Sequence, residues 1–108
     1  MRTPDDVLNE MFEIRAQIRR GWDVQEETEL DADRAADRAK TAEATKYLTA
    51  EGSIPERNAK AHIETADERD EAFIAKAKHN RVKAKARGLE SILTSLQAEL
   101  KRMERDGA

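Results

Sequence analysis

The chain has 108 residues, 40% of them charged, a net charge of −3, four aromatic side chains and no cysteine. Such a composition excludes a conventional globular core, a disulfide framework and thiol chemistry. No apolar run approaches the ~18 residues of a membrane span and the first residues hold no signal-peptide core, so a soluble, cytoplasmic protein with no membrane contact is expected.

The apolar content is mostly alanine, eighteen residues, and with abundant Glu, Lys, Arg and Leu it points to long helices. The first is announced by Thr3-Pro4-Asp5-Asp6. Threonine is a capping residue, proline suits the first helical position, and the two acids favour the positive end of the helix dipole. A 4-3 spacing then runs through Val7, Met11, Ile14, Ile18, Gly21, Gln25, Thr28, Ala32, Ala35, Ala39 and Ala42. That spacing is a coiled-coil seam, large at its start and small at its end.

The stretch Thr49–Ala61, TAEGSIPERNAKA, interrupts the helix. Gly52 can adopt the left-handed conformation that closes one helix, Ser53 and Glu56 are spaced as a capping box for the next, and Pro55 is tolerated in a first turn. A connection of about four to six residues joins antiparallel neighbours. A second helix is expected from about 54 to 105, with Ala59, Ile63, Ala66, Phe73, Ala77 and Ala84 on its inner face and a clean heptad at Leu89, Leu93, Leu96, Leu100 and Met103. The expected architecture is all-α: one domain, a long antiparallel two-helix hairpin or coiled coil. Its first helix spans about 4–50, its turn about 50–54 and its second helix about 54–105, with arms of roughly 70 Å.

Charge favours the hairpin over one straight rod. Gly21–Asp33 contains six acids and no base, whereas Ala72–Leu89 contains six bases and no acid. Folding about the turn, with facing residue numbers adding to about 103, sets much of one block beside the other. It also sets Arg34, Arg38 and Lys40 near Glu64, Asp67, Glu68, Asp70 and Glu71. Exposed pairs contribute only ~0.2–1 kcal/mol each, so they select register more than they stabilise.

Away from the turn the apolar face is wider than one partner helix requires. Leu8 and Phe12 lie off the Val7–Met11 line and Ile92 lies off the Leu89–Leu93 line. At ~25 cal/mol per Å², leaving several such side chains in water costs some kcal/mol. The inference is a second contact, either a second copy forming a four-helix bundle or another protein. The candidate interface is Leu8, Met11, Phe12, Ile18, Trp22, Leu89, Ile92, Leu93, Leu96, Leu100 and Met103. Trp22 enters as a possible anchor, because tryptophan is enriched in binding hot spots.

Signatures of chemistry are scarce. His62 and His79 lack the Glu-x-x-His and His-Glu-x-x-His spacings of metal bundles and proteases, and the acids of Glu29–Lys40 lack the glycine and terminal glutamate of a calcium loop. No phosphate loop, nucleophile elbow or Cys–His pair occurs. No catalytic residue, metal or cofactor is expected. The alternative function is nucleic-acid binding through Lys76, Lys78, Arg81, Lys83, Lys85 and Arg87. Against a single binding stripe, Lys76, Lys83 and Arg87 fall on one side of the helix, and Lys78, Arg81 and Lys85 fall on the other.

The motif Tyr47–Ala61, YLTAEGSIPERNAKA, lies between an Asp/Arg/Ala-rich arm and a Leu-x-x-Leu-rich arm. It resembles small coiled-coil proteins encoded by tailed bacteriophages of actinobacteria. The resemblance implies an accessory factor in the host cytoplasm, acting on a phage or host protein, and it carries over no catalytic residues. A hairpin of this size is also similar to the secreted Trp-x-Gly family, but that family carries its Trp-x-Gly at the turn, where this chain has Ala50–Glu56, AEGSIPE.

Overall fold

The computed structural model describes residues 1–107. Those residues are all-helical, with α1 spanning Pro4–Thr49, α2 spanning Ile54–Glu64 and α3 spanning Ala66–Gly107. Contacts divide the chain into two units. A terminal unit joins Met1–Gln25 to the chain from Arg81 onward, and a turn unit comprises Glu26–Asn80.

The start of α1 is fixed by a reciprocal cap. The Asp6 N–H donates to Thr3 Oγ1 at 3.2 Å, and the Thr3 N–H donates to the Asp6 carboxylate at 2.9 Å. Each satisfies a donor that a helix N-terminus leaves unpaired. At the turn, Gly52 has φ 115, the left-handed region that a Cβ disfavours. A Cβ there would also meet the Glu56 side chain. Ser53 then caps α2, its hydroxyl accepting from the Glu56 N–H at 3.4 Å, and Pro55 sits in the first turn. Lys60 Nζ donates to the Glu51 carbonyl at 2.8 Å, and the Arg57 guanidinium lies 5.9 Å from the centre of the Tyr47 ring. The two helices entering and leaving the turn are thereby tied together locally.

Within the turn unit, α1 runs antiparallel to α2 and the first part of α3. Lys46 Nζ lies 3.7 Å from the Glu64 carboxylate, and Thr28 Oγ1 lies 2.9 Å from His79 Nδ1. Ala35, Ala39, Ala61 and Thr65 are the buried residues of this unit. Within the terminal unit, Val7 and Met11 of α1 meet Leu96 of α3 in the buried core. Ile14, Leu93, Leu100 and Met103 pack against it.

Two expectations for the second helical segment need correction. The first concerns continuity: the segment is divided at Thr65 rather than running unbroken. Thr65 is fully buried, and its hydroxyl donates back to the Ala61 carbonyl at 2.7 Å while accepting from Arg69 Nη1 at 3.0 Å. Back-bonding of this kind bends helices. Thr65 has φ −110 and ψ 23 and closes α2, while its own carbonyl accepts from the Arg69 N–H to open α3.

The second correction concerns the inner face. Ile63 and Phe73 are 72% and 74% exposed, and Ala59, Ala66 and Ala84 are exposed as well. The inward positions are Ala61, Thr65, Glu68, Ala72, Ala75, His79, Val82 and Ala86. They extend the Leu89–Met103 heptad backwards with unbroken 4-3 steps. A helix holds one seam phase unless residues are inserted, so the phase set by the leucines carries Thr65, Glu68 and His79 inward. It leaves the larger Ile63 and Phe73 outside.

Candidate interaction surfaces

In the terminal unit the predicted interface residues separate into two groups. Met11 and Leu96 are buried, and Ile18, Leu89, Leu93, Leu100 and Met103 are half-buried, so the unit's own core uses most of their surface. Leu8, Phe12, Trp22 and Ile92 remain 36%, 62%, 61% and 48% exposed. On a helix, Leu8, Phe12 and Trp22 fall on one flank beside the seam. The seam residues Val7 and Met11 interleave with them and are buried, so this line on α1 continues the apolar core outward.

Ile92 belongs to the other flank by its heptad position, and so does Val24, 47% exposed, which the sequence reading omitted. On that side runs a groove of about 380 Å³ lined by Ile18, Gly21, Val24, Val82, Ala86 and Leu89, with Gln17, Arg20 and Lys85 at its rim. Gly21 opens it, because a Cβ at that seam position would meet nothing within 4 Å. Its 4-3 position was visible in sequence, but not that Ala86, a second small residue, lines the same groove.

Near the chain start, Arg2 forks between two carboxylates. It donates through Nη1 to Glu10 at 2.6 Å and through Nε to Glu99 across the helix pair. These bonds push the Arg2 pKa up, first through Glu10 and then through Glu99, and the Arg2 hydrogen bond holds Glu10 below the usual carboxylate range. Asp6 is lowered as well, chiefly by the Thr3 backbone N–H and then by its hydroxyl.

The six bases of the nucleic-acid alternative are distributed between the units. Lys76 and Lys78 lie in the turn unit, whereas Arg81, Lys83, Lys85 and Arg87 lie in the terminal unit. All are exposed except Lys83, which is half-buried. In the turn unit, Asp31, Arg34, Arg38, Glu71 and Lys78 line one groove, so acid and base from the opposed blocks do share a surface. Among the described residues none of the six forms a salt bridge. The bridges across the helix pairs are Arg2–Glu99 and Lys46–Glu64, with His62 lying 4.0 Å from Glu43.

The turn residues Gly52, Ser53, Pro55 and Glu56 act together in the connection described above. No group of three or more His, Cys, Asp or Glu among the described residues is placed to hold a metal ion. No helix among them is long and apolar enough to cross a membrane. Comparison of the chain with family models, with curated proteins and with solved structures finds no match.

Proposed function

We propose that the chain is a non-enzymatic protein-interaction module, a single continuous hairpin that pairs with a second copy through its terminal unit to form a four-helix bundle. The observation that carries this reading is the line of Leu8, Phe12 and Trp22 along α1, exposed beside a buried Val7–Met11–Leu96 core. Leu8 and Phe12 are one helical turn apart, and Trp22 lies further along the same flank beyond Arg15 and Arg19; covering the three removes apolar area from water. The arms then serve as an adaptor surface. The resemblance of the Tyr47–Ala61 motif to actinobacterial phage coiled-coil proteins supports a cytoplasmic accessory role on a phage or host protein.

The test is the mass in solution by light scattering, wild type against Leu8→Glu/Phe12→Glu. The wild type is expected to be dimeric and the variant monomeric with unchanged helix content. A monomeric wild type removes the reading.

A second reading, nucleic-acid binding, rests on the absence of salt bridges at Lys76, Lys78, Arg81, Lys83, Lys85 and Arg87 among the described residues. It calls for salt-sensitive oligonucleotide binding that Lys83→Glu/Arg87→Glu weakens. Unchanged mobility of single- and double-stranded oligonucleotides at low salt rejects it.

A further inference from the structure

Beside Gly21 the seam of the terminal unit is left uncovered. Val7, Met11 and Leu96 are buried, whereas the residues that floor the groove, Ile18, Gly21, Val82, Ala86 and Leu89, are only half-buried. The cause is side-chain size. Ile18 and Val24 flank Gly21 along α1, and Val82 and Leu89 flank Ala86 along α3, so the two smallest residues leave a hollow among larger ones. A Cβ added at Gly21 would still meet nothing within 4 Å. The volume of about 380 Å³ falls within the ~300–1,000 Å³ of small-molecule pockets, and the lining is likewise apolar with a few polar groups.

The charged groups of that lining have one sign. Arg20 comes from α1 and Lys85 from α3, Gln17 is neutral, and no acid lines the groove. Among the described residues neither cation forms a salt bridge. Asp23 is the only acid within one turn of Arg20, and it neither bridges to Arg20 nor lines the groove; α3 carries no acid from Ala72 to Leu89. Shape narrows the occupant further. Along α1 this flank reads Glu10, Glu13, Gln17, Arg20 and Val24, and along α3 it reads Arg81, Lys85, Gly88, Ile92 and Ser95. One large apolar residue in five on each helix makes no seam for a third helix. A compact apolar body with one anionic head meets both features, with hydrocarbon against Ile18, Val82 and Leu89 and the head at the two cations.

We infer that the Gly21 groove binds a small amphiphilic carboxylate, a hydrocarbon body ending in one carboxylate head held by Arg20 and Lys85. The groove lies on the opposite flank from the Leu8–Phe12–Trp22 line, so the two readings can fail independently.

The probes are decanoate and decyltrimethylammonium, which carry similar chains and opposite heads. Each is titrated below its micelle concentration into the isotope-labelled full chain while the amide NMR shifts are followed. Decanoate is expected to give saturable shifts centred on residues 17–24 and 82–89 and to bind more tightly than the cation. Arg20→Gln/Lys85→Gln, at exposed positions, should weaken decanoate by ~tenfold and remove its preference. Gly21→Leu fills the hollow and should abolish those shifts, while its denaturant midpoint holds or rises because glycine is the weaker helix former. Leu8→Glu/Phe12→Glu should bind decanoate as the wild type does. Shifts that do not saturate, equal binding of the two probes, shifts centred on the Leu8–Phe12–Trp22 line, or wild-type binding by Gly21→Leu would each overturn the inference.

Discussion

The terminal and turn units use the same 4-3 geometry with different side chains. In the first, Val7, Met11 and Leu96 are buried and Ile14, Leu93, Leu100 and Met103 close around them. In the second, the buried residues are three alanines and a threonine, with Thr28, Glu68 and His79 half-buried along the seam. Apolar burial grows with side-chain area, so the terminal unit supplies most of the hydrophobic stabilisation. The turn unit gains close helix approach and polar positions such as the Thr28–His79 contact, which fix the register. One region holds the chain folded, and the other holds it aligned.

Truncation should expose this difference most. Leu96→Ala is expected to cost about 2–5 kcal/mol in denaturant unfolding, as a large buried side chain does. Ala39→Gly, equally central in the turn unit, should cost about 1 kcal/mol, mostly as lost helix propensity. Equal losses would dissolve the contrast. Next comes Gly52→Ala, which places a Cβ at φ 115 against the Glu56 side chain and should cost about 1–2 kcal/mol. The same thermal or denaturant curves measure it.

Thr65→Ala acts on the break itself. With the back-bond to the Ala61 carbonyl gone, helical signals should run unbroken through residues 64–66 in NMR chemical shifts, with stability changed by less than about 1 kcal/mol. A break that persists would locate its cause elsewhere than in the threonine hydroxyl.

The smallest effect belongs to pH. Glu10 and Asp6 are held below their ordinary values, Glu10 chiefly by Arg2 and Asp6 chiefly by the Thr3 N–H. A depressed folded pKa gives stability that is complete above the unfolded value and is lost as pH falls through the folded one. Stability should therefore decline on acidification below about 4.5 and 3.8, their respective ordinary values. Arg2→Gln should flatten the Glu10 part of that decline and leave most of the Asp6 part, which rests chiefly on the Thr3 hydrogen bonds and least on the Arg2 charge. A melting series from neutral to acid pH in both proteins checks it.

Much of α1 was legible because its spacing has one solution: every seam position from Val7 to Ala42 is buried or half-buried. The cap at Thr3 and the turn at Gly52–Ser53 were legible because few residues do those tasks. The inner face over Ala61–Ala86 was not. There the largest side chains, Ile63 and Phe73, point out, and extending the leucine heptad backwards would have placed Thr65, Glu68 and His79 inside. The break was hidden because nothing in the sequence sets Thr65 apart from Thr45 and Thr94, whose hydroxyls also bond the carbonyl four residues back in unbroken helix. Of the candidate surface, Leu8, Phe12 and Ile92 were visible as apolar residues off the seam, whereas Val24 and the Gly21 groove required knowledge of which residues lie across from α1.

The most direct measurement is the emission spectrum of Trp22, the only tryptophan, followed as the protein is diluted. The side chain is 61% exposed on a single chain and lies on the face proposed to pair. The account predicts a blue-shifted spectrum at high concentration that moves to a solvent-like one on dilution, with Phe12→Glu solvent-like throughout. A wild-type spectrum that is solvent-like at every concentration would contradict it.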